Sequence, residues 1–357
     1  MSSTAKIMPL QPIENPPNPW HATSVEYFED MPGGIPKAKL QVFFDDSKSI
    51  LSRNDSPDLS FTWSVNPYRG CTHGCAYCYA RRGHEFLDWG AGSDFERKIV
   101  VKRKAPELLR KAFDGPKWTG EVIAFSGMTD CYQMLEATYG ITRACLEICE
   151  AYRNPVAIIT KSPLIERDID VLRALHARTQ LQIMISIPVW KPEHARAVEP
   201  WVPSPQRRMR TIERLAAAGL EVGVMVAPLI PGLGDEDMPT ILTRAVHAGA
   251  KYAGSMLLRL PGPVAPVFAE RVQRTLPLRA DKILSKVRAA RGGKLYDSSW
   301  GERFHGSGPQ AEATRLLFDR TCARLGLNDR LQSGRDQPST FERPPAPLDD
   351  GRQMALF

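Results

Sequence analysis

No apolar run in this chain approaches the ~20 residues of a membrane span, and Met1-Ser2-Ser3-Thr4-Ala5-Lys6 lacks the apolar stretch of a secretory signal. Cysteine is scarce: seven in 357 residues cannot build a disulfide framework. Acidic residues are in deficit, with 40 Asp and Glu against 47 Lys and Arg, and no internal repeat is visible. These absences predict a soluble, cytoplasmic protein whose thiols stay reduced. What is present is a 43% hydrophobic and 24% charged composition, enough for a full core. A net charge of +7 favours anionic partners, through the surface field rather than through any one site.

The charge gathers in two runs, Arg97-Lys98 with Lys102-Arg103-Lys104, and Arg207-Arg208 with Arg210 and Arg214. Solvated faces and a phosphate-contacting rim both fit these runs. Residues 1–56 are rich in Pro and Gly and read as an irregular arm. From residue 57 short β-rich runs alternate with helical patterns. The strand candidates are Phe61–Asn66, Lys98–Arg103, Glu121–Ser126, Val156–Lys161, Gln182–Val189, Glu221–Pro228 and Tyr252–Leu260. Helix candidates include Tyr139–Arg153, Ile165–Arg178, Ser204–Ala218 and Met238–Ala248, with Gly219 and Gly249 where helices stop. Strands apolar on both faces, such as Val222–Val226, suit a buried parallel sheet. The alternation gives right-handed βαβ units, and about six of them make a partial α/β barrel with chemistry at the C-terminal strand ends. The core is expected over 57–300, a helical extension over 301–330, and a flexible Pro-rich tail over 331–357.

The most informative pattern is Cys71-x-x-x-Cys75-x-x-Cys78, directly after the first core strand. Three thiolates are an odd number for a closed site. Structural zinc takes four protein ligands, and a four-iron cluster normally takes four cysteines. Three leave one position open to a ligand that is not protein. A zinc site completed by His73 or His84 is the alternative, although such sites usually pair two C-x-x-C elements. Cys145 and Cys149, four apart on one helix face, read as small core residues, as does Cys322.

The spacing, with Tyr77 just before the third cysteine, resembles the cluster loop of the radical S-adenosylmethionine (radical SAM) enzymes. The runs Asn66-Pro67-Tyr68-Arg69-Gly70-Cys71, Thr129-Asp130-Cys131-Tyr132-Gln133 and Ala227-Pro228-Leu229-Ile230-Pro231-Gly232 are similar to the spore photoproduct lyase-like branch and its uncharacterised relatives. The resemblance covers residues 57–300 and implies a partial (β/α)6 barrel. It further implies a [4Fe–4S] cluster on Cys71, Cys75 and Cys78 whose open iron chelates S-adenosylmethionine. One electron, from a donor such as flavodoxin or ferredoxin, then yields a 5′-deoxyadenosyl radical. By the same resemblance Tyr77 packs near the adenine, and Ser126, Thr129 and Asp130 meet the cofactor's amino group. Lys161 pairs with its carboxylate and Ser186 with a ribose hydroxyl. Turn chemistry is the competing reading for Ser126, Thr129 and Asp130, and a snorkelling surface lysine for Lys161. Glu136 is placed to close the same loop, and Arg259 to meet a substrate anion.

The photoproduct lyases repair a thymine lesion in DNA with a cysteine hydrogen donor. Met128 stands before Thr129-Asp130 here, and a thioether cannot give up hydrogen as a thiol does. Cys131 is therefore the candidate hydrogen relay. Nucleic acid, in DNA repair or maintenance, is the expected substrate. A peptide or small metabolite is the alternative within the class, and a zinc-stabilised DNA or clamp adaptor the alternative outside it. The terminal Gln353-Met354-Ala355-Leu356-Phe357 resembles the short peptide by which bacterial repair proteins bind the sliding clamp, a flexible tail offering an amide and apolar anchors to a groove.

Overall fold

The computed structural model describes residues 40–327 and 338–345, with the backbone of 12–13. Two sheets organise these residues. The larger one carries six parallel strands in the order β4 (Trp63–Val65), β7 (Ile123–Phe125), β8 (Val156–Thr160), β9 (Leu181–Ser186), β10 (Val222–Leu229) and β11 (Tyr252–Leu257). The antiparallel strand β3 (Leu51–Arg53) covers its β4 edge. Because these six strands run parallel, their C-terminal ends share one rim, and loops leaving that rim build the site. This is the expected partial barrel.

The local reasons are legible. Val222–Val226 of β10 is buried at every position, as a strand covered on both faces must be. Helix Pro205–Ala217 buries Arg208, Thr211, Ile212 and Leu215, and Met238–His247 buries Ile241, Leu242 and Ala245. That i, i+3, i+4, i+7 spacing is one helix face. Ser204 caps the first of these helices by accepting from the Arg207 amide at 3.2 Å. A second apolar cluster packs Ala76 and Tyr77 against Val198, Ile230, Leu258, Phe268 and Ile283, and seats the back of the cysteine loop. Among the described residues no helix is long and apolar enough to cross a membrane.

Three expectations change. Lys98–Val101 (β6) is a strand, but it belongs to the smaller sheet, parallel to β2 (Gln41–Phe44) and antiparallel to β5 (Tyr68–Arg69). It does not join the barrel sheet, which periodicity along the chain does not encode. Within the supposed irregular arm, β2 and β3 are ordered strands, and β1 (Pro12–Ile13) pairs with β2. Within the supposed flexible tail, residues 338–345 dock on the core. The Phe341 ring lies 5.7 Å from Phe113 and 6.2 Å from Tyr152, and Arg343 donates to the carbonyls of Phe113, Gly115 and Trp118.

The second basic run reads poorly as a phosphate rim, because two carboxylates offset half of its charge and Arg208 is buried. Arg207 and Arg214 both pair with Glu166 at 2.6 Å, and Arg208 is buried against Glu199 at 2.6 Å. In the first run Lys98 pairs with Asp94, Lys104 pairs with Asp46, and Lys102 is only 6% exposed. Burial, helped by Arg69 and opposed by Asp45, lowers the Lys102 pKa to about 8. An unfolded lysine titrates near ~10.4, so between these values the unfolded chain binds the proton and the folded one does not. Stability thus rises with pH across that window, and the full penalty is present below it. Lys102→Met should stabilise the protein by roughly 1–3 kcal/mol at pH 7. In denaturant titrations the gain should shrink as pH climbs past 8. A gain that does not change with pH would show that charge burial is not its cause.

Candidate active site

Ten of the twelve predicted site residues line one cavity of about 210 Å³ at the C-terminal rim: Cys71, Cys75, Cys78, Tyr77, Ser126, Thr129, Asp130, Lys161, Ser186 and Arg259. The other two do not. Cys131 is fully buried in the main core beside Tyr132 and Cys145, one layer behind Ser126. The chain turns inward directly after Asp130, where the Cys131 amide donates to Ser126 Oγ at 3.0 Å and its carbonyl accepts from Thr142 at 2.6 Å. Cys131 does not line the cavity, and its thiol bonds to the side chain of Ser126, so the geometry lends no support to its expected role as a hydrogen relay. Glu136 is also behind the wall, accepting from the Tyr68 hydroxyl at 2.5 Å and pairing with Arg167 at 2.8 Å.

The loop carrying Cys71, Cys75 and Cys78 is held from three sides. On the first, Gly70 O accepts from Thr129 Oγ1 at 2.6 Å and from Gln133 Nε2 at 3.1 Å, while Gln133 Oε1 accepts from the Thr72 amide. On the second, the Ala76 amide donates to Val198 O at 2.9 Å and the Trp201 amide to His73 O. Gly74, at φ +64°, lies so close to Trp201 that a Cβ would come within 2.9 Å of the indole. On the third side lies Arg81, wholly buried. Its guanidinium donates to the carbonyls of Cys75 and Gly74 at 2.9 Å, to Ala91 at 2.9 Å and Gly92 at 2.8 Å, and to Glu96 at 2.6 Å.

The other predicted residues are tied into the walls. Asp130 accepts from Thr160 Oγ1 at 2.6 Å and from the Lys161 amide at 2.8 Å, and lies 3.4 Å from His73. Asp130 therefore joins the ends of β7 and β8 to the cysteine loop. Ser186 donates to Ala227 O at 2.9 Å. Ser126, Thr129 and Asp130, for which both a cofactor contact and turn chemistry were expected, line the cavity and also bond to the protein. Tyr77 presents its ring to the cavity while its hydroxyl donates to the buried Glu199. Glu199 in turn pairs with Arg208, which donates to Ser186 O at 2.8 Å. Burial raises the Glu199 pKa, but Arg208 and Lys161 outweigh it and hold the carboxyl below its usual range. Nothing in the sequence marked Glu199 or Arg81, because isolated charges show no periodicity and no motif, and Arg208 stood out only as part of a basic run.

Two cations at the cavity make no direct ion pair among the described residues, although Lys161 acts on the Glu199 carboxylate at longer range. Lys161 Nζ lies 5.7 Å over the Tyr77 ring. Arg259 rests on Tyr79 and Phe304, and its Nε is buried without a hydrogen bond.

The donor set fits an iron–sulfur cluster with one open position. Three thiols line one cavity on one rigid loop, and of the others Cys131, Cys145 and Cys149 are locked in the main core. Among the described residues no three His, Cys, Asp or Glu side chains converge where a single metal ion would sit. His73 lines the cavity 3.4 Å from Asp130, and burial lowers its pKa, while His84 bonds to Lys98 O. Burial, with Asp130 adding to it, pushes the Cys71 thiol up to about 12, and burial raises Cys75 and Cys78 as well. Loading a metal centre must therefore expel protons.

A family model described as the radical SAM superfamily matches residues 65–245 of the chain. An uncharacterized protein of Mycobacterium tuberculosis is 38% identical over 233 residues, covering 64% of this chain and 68% of that protein. An uncharacterized protein of Methanocaldococcus jannaschii is 25% identical over 198 residues, covering 56% and 71%. Among solved structures, a spore photoproduct lyase with bound AdoMet and dinucleoside spore photoproduct matches with a TM-score of 0.59 at 17% identity, over 80% of each chain. That likeness shows a shared fold.

Proposed function

We propose that this chain, which belongs to the radical SAM superfamily, applies its radical chemistry to nucleic acid in a repair or maintenance reaction. S-adenosylmethionine and a [4Fe–4S] cluster are its cofactors, and when bound they supply hydrogen-atom abstraction from a substrate. Cys71, Cys75 and Cys78 are the residues that would hold the cluster. Ile159, Met225, Met256 and Leu257 make the cavity wall apolar, which keeps water from reactive species.

The observation that carries the nucleic-acid reading is a pair of cations at the cavity that make no direct ion pair, Lys161 and Arg259. Lys161, beside the cysteine loop, suits the carboxylate of S-adenosylmethionine, which leaves Arg259 for an anion on the substrate. Support comes from the net charge of +7 and from the dinucleoside held by the lyase of like fold. Anaerobically reconstituted protein should bind oligonucleotides with an affinity that falls steeply with salt, as released counterions demand. Reduction should then yield 5′-deoxyadenosine and methionine. Salt-insensitive binding, with turnover stimulated only by peptides or small metabolites, would move the substrate to those classes.

Lys161→Ala should weaken S-adenosylmethionine binding about ten-fold or more, the loss of one charge-assisted hydrogen bond, with the cluster intact by absorbance. Unchanged affinity in equilibrium dialysis would remove Lys161 from the cofactor site. The electron is proposed to come from a flavodoxin or ferredoxin. The clamp-like peptide Gln353–Phe357 lies outside the described residues. Deleting 353–357 should abolish sliding-clamp binding and leave the cluster untouched, and undiminished clamp binding would end that idea.

A further inference from the structure

Beyond the cavity, aromatic rings and guanidinium planes alternate in a line leading out to solvent. Tyr79 follows the third cysteine, and Arg259 lies 5.6 Å over its ring. The other neighbour of Arg259 is Phe304, at 4.4 Å, and Arg303 lies 4.8 Å from the same ring. Arg303 then sits 4.0 Å over Trp300, which is 57% exposed although it is the largest kind of apolar side chain. The ladder is fixed from outside. Arg303 is pinned to Asp58 at 2.7 Å, and Arg291 holds residues 302–303 to β11 by donating to the carbonyls of Leu258, Glu302 and Arg303. One end, at Tyr79 and Arg259, lines the cavity, and the other presents an indole to water.

We propose that Trp300 is a stacking platform for an unpaired nucleobase, which the ladder holds on the route to the cavity mouth. The inference rests on the nucleic-acid reading above and names its substrate form: single-stranded or flipped-out, since a base inside a duplex has no face to offer. The chemistry favours a nucleobase over an apolar peptide. Flat π-faces stack on both aromatics and arginine planes, and while Arg303 is neutralised by Asp58, Arg259 keeps a charge for the phosphate that accompanies each base. Arg259, with Nε buried and unpartnered, is the donor at the inner end for that phosphate. An apolar peptide has no use for that charge.

The test uses the anaerobically reconstituted, full-length holoprotein and fluorescently labelled oligothymidylate, with Trp300→Ala and Trp300→Phe. Alanine should weaken binding about ten-fold, within the range for one base–aromatic stack, without changing the salt slope, because no phosphate contact is lost. Phenylalanine should stay within about two-fold of the parent, since a ring still stacks. Trp300 is exposed, so folding should be unaffected, and the cluster absorbance checks this in each variant. Parental affinity in the alanine variant, or an equal loss in both variants, overturns the platform while leaving the nucleic-acid reading standing. Failure of the parent protein itself to bind oligothymidylate at low salt overturns both.

Discussion

Replacing Cys75 by alanine is expected to leave a folded chain that stays colourless after anaerobic reconstitution with iron and sulfide. The cavity holds three thiols and no spare. Cys131, the nearest other cysteine in sequence, is fully buried behind Ser126 and cannot rotate in without unpacking the main core. Losing one thiolate of three leaves two irons without protein ligands, and chelation of the cofactor then has no base. The fold should survive, since the change removes one buried atom at a cost of about 1 kcal/mol. Iron content, cluster absorbance and 5′-deoxyadenosine should all fall to background, and the same should hold for Cys71→Ala and Cys78→Ala. A variant that retains the full cluster signal would show that these thiols are not the ligands.

Replacing Arg81 should have the next largest effect, at a position that carries no motif. Its buried guanidinium donates to four backbone carbonyls, those of Gly74, Cys75, Ala91 and Gly92, and to the Glu96 carboxylate. The Phe95 ring lies 5.0 Å beneath it. Arg81→Met fills much of the volume but strips donors from buried acceptors, each costing about 1–3 kcal/mol if left unpaired. Local relaxation and water entry will recover part, so a net loss of roughly 3 kcal/mol is expected. A fall in Tm of several degrees should accompany it. The more telling readout is the cluster, because two of those carbonyls belong to the cysteine loop. The variant should take up iron poorly and lose it quickly to a chelator. Arg81→Lys should rescue little, since one ammonium cannot reach acceptors on two separate loops. Parental stability and cluster lifetime in Arg81→Met would reduce the arginine to filler.

Sequence and structure agree most closely on elements with strong local signals. The helix expected over Met238–Ala248 is observed over Met238–His247, and the strand expected over Tyr252–Leu260 is observed over Tyr252–Leu257. Apolar periodicity and flanking glycines suffice there, because each element satisfies its own backbone or pairs with its neighbour in sequence. Lys98–Val101 shows the limit. Its composition reads correctly as a strand, but its partners lie 57 residues upstream, from Gln41, and 31 and 33 residues upstream, at Arg69 and Tyr68. Nothing local distinguishes that sheet from the barrel.

The sequence by itself determined the chemistry. Three thiolates within eight residues after a strand must share one centre, and no folding detail alters which residues those are. It also determined the order of strands and helices, and so the rim at which the chemistry sits. Only the tertiary structure decided which polar residues face the cavity and which merely hold it. Cys131 and Asp130 are adjacent in the chain, yet one is sealed in the core and the other lines the site, because a single turn sends successive side chains to opposite sides of the wall. Arg81, Glu199 and Arg208 acquired their roles the same way. A buried charge has to find partners, and those partners are chosen by the packing of segments distant in sequence.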